Sequence, residues 1–129
     1  MTTTVRWIAA LTITIVLIQA VLIGQALYIG DASRLALHGY LGNASFVAAV
    51  VLAALLTLAS RRGELPRAAL ALGALVTLLM VAQIGLGYAG RGGGWPAALH
   101  IPNGVLIAGL LASLLTVVML PRDADLARR

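Results

Sequence analysis

Four largely apolar runs, each of 20 or more residues, occupy most of this sequence. A helix of about 20 residues at 1.5 Å per residue matches the roughly 30 Å hydrocarbon layer of a bilayer. Each run is therefore long enough to cross one. A soluble core must bury its apolar surface against itself. A chain of 129 residues with 61% hydrophobic residues, 10% charged residues and a mean hydropathy of +1.03 has too much apolar surface for that. The expected fold is an all-α integral membrane four-helix up-down bundle. Its helices fall at about 7–29, 35–59, 67–89 and 96–120, in a single transmembrane domain over 1–129 with a polar tail at 121–129.

The connectors punctuate this pattern. Gly30 is suited to stop the first helix, and Asp31 or Ser33 to cap the second. Residues 60–67 bring three arginines, a glycine and Pro66, which belongs in the first turn of the third helix. The first run lacks a good small-x-small cleavage site at Tyr28-Ile29-Gly30-Asp31 and reads as a retained, signal-anchor-like span. Residues 90–96 are glycine-rich, but they lack the Gly-Lys-Ser/Thr ending and preceding strand of a phosphate-binding loop, so they read as a turn.

The net charge of +5 comes from nine arginines placed around the ends of the apolar runs, a topological pattern rather than a nucleic-acid surface. Arg6, Arg61, Arg62, Arg67, Arg122, Arg128 and Arg129 fall on one side, and only Arg34 and Arg91 on the other. The positive-inside rule then places both termini and the middle loop in the cytoplasm, most simply that of a bacterial plasma membrane, with the two shorter connectors outside. In this frame Trp7 lies at the inner interface, and Tyr28, Tyr88 and Trp95 lie near the outer one. The chain has no cysteine, which removes disulfides, thiolate clusters, covalent heme attachment and cysteine nucleophiles.

The only two histidines, His38 and His100, lie 62 residues apart, each preceded by leucine and followed four residues later by glycine. Tyr28-Ile29-Gly30 likewise matches Tyr88-Ala89-Gly90, so the chain reads as two parallel helical-hairpin repeats. Each histidine comes about one turn after an outer helix start, which puts both at similar depth on diagonal helices about 11–14 Å apart. Ionisable side chains at membrane depth tend to mark function. With no third or fourth ligand at that level, zinc is disfavoured, and heme b between two imidazoles is the low-ligand solution. Gly39, Gly42 and Gly104 flank the pair, with Gly24, Gly85 and Gly87 at comparable height, which suits either a flat macrocycle or close helix packing. Gln25, Gln83, Asn43 and Asn103 are candidates to orient the imidazoles, and Arg34 and Arg91 to meet heme propionates. Pro102 removes one backbone hydrogen bond near His100 and is a candidate kink.

One histidine at the outer end of the second helix, a partner at the outer end of the fourth and a spacing near 62 resemble one four-helix half of the heme A synthase family. The resemblance implies that His38 and His100 are axial heme ligands, and that two copies of the chain form a homodimer in place of the family's joined halves. The reactive half of that family carries a glutamate three residues before its first histidine. Leu35 and Ala97 stand at the corresponding positions here, so heme A synthesis is not expected. The reading is a small membrane cytochrome b that exchanges electrons near the outer face with quinol or another membrane redox protein. The alternatives are a non-enzymatic membrane scaffold with structural histidines, and a heme carrier or sensor.

Overall fold

The computed structural model describes residues 1–120; the tail at 121–129 lies outside the described residues. Four α-helices follow one another: α1 (Thr2–Ile29), α2 (Ala32–Arg61), α3 (Arg67–Ala89) and α4 (Trp95–Met119). All four are long and apolar enough to cross a membrane. They form an all-α four-helix bundle in which each helix packs on the next and α1 closes on α4. The bundle has two ends. One carries the α1–α2 and α3–α4 connections and both histidines; the other carries Met1, the α2–α3 connection and Leu120.

Two of the helices begin before their apolar runs. α1 begins at Thr2 rather than near Trp7, and α2 begins at Ala32 rather than Leu35. Asp31 explains the second difference. Its Oδ1 accepts from the backbone N–H groups of Ser33 (2.8 Å) and Arg34 (3.4 Å), occupying donors that the first turn leaves free. Gly30, at φ 73°, turns its N–H onto the Ala26 carbonyl and ends α1 in the left-handed conformation that glycine adopts without strain. Pro66 sits at the cap of α3 rather than within its first turn, where its missing N–H costs no hydrogen bond. A single 3₁₀ turn over Gly90–Gly92 leads into α4, which runs unbroken through Pro102.

The fully packed core occupies the half of the bundle away from the histidines. It is built from Val5, Ala9 and Thr12 on α1; Ser45, Ala49, Leu52, Leu56 and Ala59 on α2; Ala69, Gly73, Val76 and Met80 on α3; and Ile107, Leu111, Leu114 and Val118 on α4. On every helix these positions alternate steps of four and three, the spacing of left-handed bundles with interlocking side chains. Arg6 closes that end by donating from Nε to the Val118 carbonyl at 2.7 Å. Toward the other end, Ala26 is the one buried α1 residue beyond Thr12, so the helices reach the histidine level without an apolar core between them.

Candidate functional site

Continuing the four-three stripe toward the histidine end locates the site. On α2 the stripe passes from Ser45 to Gly42 and His38; on α4, from Ile107 to Gly104 and His100. Each histidine lies seven residues, two turns or about 10 Å, from the top of the core. On α3 the same stripe reaches Gln83 and Gly87, and on α1 it reaches Gln19. The bundle axis is thus apolar in one half and lined by imidazoles, amides and glycines in the other. His38 and His100 meet there, with ring centroids 6.0 Å apart and ring planes at 73°.

Hydrogen bonding fixes which nitrogen of each ring carries the proton. His38 Nδ1 lies 3.1 Å from the Gln19 carbonyl, and His100 Nδ1 lies 3.2 Å from the Gln83 carbonyl. A carbonyl only accepts, so both Nδ1 atoms donate, and in the neutral rings both Nε2 atoms keep their lone pairs. Metal-binding histidines are commonly held this way, with the far ring N–H on a backbone carbonyl that sets tautomer and orientation. The two hairpins repeat the arrangement: a glutamine on the first helix accepts from a histidine on the second. Gln19 and Gln83 are 64 residues apart, however, whereas Tyr28 and Tyr88 are 60 apart, so the registers of the hairpins differ by about one turn.

The amide side chains break the symmetry. Gln19 Nε2 donates to Ser45 Oγ at 3.1 Å, which in turn donates to the Gly42 carbonyl at 2.9 Å. On α4 the position seven residues after the histidine is Ile107 rather than a serine and offers no acceptor. Gln83 instead contacts His100 Nε2 at 3.3 Å through its amide nitrogen and accepts from Asn103 Nδ2 at 2.6 Å. Asn103 Nδ2 also donates to the Leu79 carbonyl at 3.0 Å. That carbonyl orients the chain: Asn103 presents nitrogen, Gln83 presents oxygen to Asn103, and the Gln83 –NH₂ faces the His100 lone pair.

The glycines on the stripe make room for these side chains. A Cβ on Gly87 would lie 3.0 Å from His100 Cε1, one on Gly104 would lie 3.1 Å from Gln83 Nε2, and one on Gly42 would lie 3.3 Å from Gln19 Oε1. The clearance expected for a macrocycle at Gly42 and Gly104 is therefore taken up by the site's own amides. Gly24, Gly39 and Gly85 have open space where a Cβ would stand.

The remaining residues singled out by sequence form an outer ring. Arg34 donates from Nε to Asp31 Oδ2 at 3.0 Å and also hydrogen-bonds the Gln25 side-chain oxygen, which ties α1 to α2. Gln25 therefore orients Arg34, not an imidazole. Asn43 Nδ2 donates to the Tyr88 hydroxyl at 3.4 Å, and the Arg91 guanidinium lies over the Tyr88 ring, 4.5 Å from its centroid. Asn103 does join the histidine site, through Gln83. Gln19 and Ser45 belong to it as well. They are recognisable by extending the four-three register, a signal that the apolar content of the runs alone does not carry.

Two imidazoles on opposite sides of one iron, with metal–nitrogen bonds near 2 Å, place their ring centroids about 6–6.5 Å apart. The observed 6.0 Å matches the short end of that spacing, while His100 Nε2 is turned onto the Gln83 amide nitrogen at 3.3 Å. Among the described residues no group of three or more His, Cys, Asp or Glu side chains converges, so a cofactor held here would draw its protein ligands from the two imidazoles. No protein-family model matches this sequence, and no curated protein or solved structure matches it either.

Proposed function

We propose that this protein is a small membrane b-type cytochrome holding one heme b between His38 and His100. The observation that carries the reading is the matched pair of imidazoles: both fixed at Nδ1 by a backbone carbonyl, with centroids 6.0 Å apart at the loosely packed end of the bundle. Heme iron would supply a one-electron couple there. The chain's own contribution is to hold both rings in the tautomer that leaves Nε2 as the ligand, and to set them together on the bundle axis. Without a carboxylate at Leu35 or Ala97, three residues before either histidine, the site has no acidic group to take part in modifying the macrocycle.

Arginine asymmetry supports an orientation with both termini in the cytoplasm and the histidine end outside, in a bacterial plasma membrane. The exposed Tyr28, Tyr88 and Trp95 would then form the outer aromatic belt. Electron exchange with quinol or a membrane redox protein at that face completes the proposal. So do the resemblance of the histidine spacing to one half of the heme A synthase family, and a homodimer in the lipid bilayer. One observation favours a second reading, a scaffold with structural histidines: the Gln83 amide already satisfies His100 Nε2. Purification in mild detergent from heme-replete cells separates the two. The cytochrome gives a sharp Soret band with resolved α and β bands on reduction, lost in His38→Ala and in His100→Ala. A colourless protein overturns the reading.

A further inference from the structure

The two histidines have equivalent Nδ1 bonds but unequal Nε2 environments. No hydrogen bond within the described residues reaches His38 Nε2, whereas His100 Nε2 receives the Gln83 amide at 3.3 Å. We infer that Gln83 is a positioning residue that caps the ligand nitrogen of His100, leaving His38 as the imidazole open to a metal first. This inference rests on the proposed heme ligation for its consequence, but not for the cap itself.

The cap is built rather than incidental. Gln83 grips His100 at both nitrogens, the Nδ1 proton through its backbone carbonyl and the Nε2 lone pair through its side chain. Its side-chain oxygen is held by Asn103, which is anchored on the Leu79 carbonyl. Gly104 gives the amide its space and Gly87 gives the imidazole its own; a side chain at either position would crowd the contact. In the other hairpin the corresponding amide, Gln19, is drawn off by Ser45. Two positions differ between the hairpins at this level: Ser45 on α2 stands against Ile107 on α4, and Leu41 on α2 against Asn103 on α4.

For His100 to ligate, the Gln83 amide must leave its Nε2, so one hydrogen bond is broken before one coordinate bond forms. Removing the amide removes that competition. Because a single intramolecular hydrogen bond has a modest net worth, Gln83→Met should bind hemin about two- to tenfold more tightly than the native chain.

The test uses the full chain in detergent micelles with ¹⁵N-labelled histidine, first without heme. The cap gives both imidazoles a protonated Nδ1, with a hydrogen-bonded Nε2 resonance for His100 and a free one for His38. In Gln83→Met, and to a lesser degree in Asn103→Leu, the His100 Nε2 resonance moves to the free position while His38 stays put. A His100 Nε2 resonance that is unchanged in both variants overturns the cap. Hemin titration of the same samples supplies the second measurement: tighter binding by Gln83→Met supports the displacement, and equal or weaker binding overturns it. Should no sample bind hemin while the resonance shift is present, the cap is supported and the cytochrome reading fails.

Discussion

Gly87 on α3 lies so close to His100 on α4 that a Cβ added to the glycine would stand 3.0 Å from the imidazole Cε1 and 3.4 Å from Nδ1. The ring has nowhere cheap to go, since Gln83 holds both of its nitrogens. Gly87→Ala should therefore twist His100 from its rotamer or break the Nδ1 bond, at a cost of about 1 kcal/mol. Hemin affinity should fall by about three- to tenfold, with a broadened α band, as read by optical titration. Gly85→Ala, two residues away where a Cβ meets nothing within 4 Å, should leave affinity and spectrum unchanged.

How far the sequence discloses this arrangement depends on what kind of pattern carries each part. Four helices and their connectors are legible because length and apolarity are properties of contiguous residues. Helix ends are less so. α1 and α2 start several residues before their apolar runs, and at α2 Asp31 supplies a local cap that hydropathy does not register. His38 and His100 stand out by rarity, and their meeting follows from equal depth. The roles of the amides are another matter. Gln25 and Gln83 look alike in sequence, yet Gln83 falls on the four-three stripe facing the axis and meets His100, while Gln25 falls off it and bonds Arg34. Gln19 contributes its backbone carbonyl, a group every residue has, so only the register identifies it.

Gly73 on α3 shows how tightly the other half of the bundle is packed. A Cβ there would collide with Cδ1 of Leu56, which is fully buried on α2. Gly73→Ala should destabilise the bundle by about 1–3 kcal/mol through overpacking, measured by unfolding in mixed micelles. Combining it with Leu56→Val, which withdraws the colliding methyl, should recover part of the loss. Additive destabilisation in the double variant would show that the two sites do not share this contact.

Ser45 is buried, accepts from Gln19 and donates to the Gly42 carbonyl. Ser45→Ile makes this position of the first hairpin resemble that of the second, where Ile107 stands two turns from its histidine. Gln19 then loses its acceptor and is free to turn its amide to His38 Nε2, the arrangement Gln83 makes with His100. The expected outcome is a hydrogen-bonded His38 Nε2 resonance in place of the free one, with a two- to tenfold drop in hemin affinity, since both ligands are then capped. A free His38 Nε2 in this variant would mean that Ser45 does not set the asymmetry.

Asp31 gives the histidine end a pH dependence. Hydrogen bonds from Ser33, first from its hydroxyl and then from its backbone N–H, hold the carboxyl below its ordinary value of 3.8, against an opposing desolvation and with hydrogen bonds from Arg34 adding to the effect. Because the folded value is depressed, the cap's contribution is complete above the unfolded value and fades as pH falls through the folded one. Amide exchange at Ser33, Arg34 and Leu35, corrected for intrinsic rates, should thus be constant from pH 7 to about 5 and lose protection below about 4. Asp31→Asn keeps a capping oxygen but no titrating group. It should start with weaker protection, lacking the charge that faces Arg34, and show no further loss on acidification. Equal acid sensitivity in the two proteins would assign the effect to a group other than Asp31.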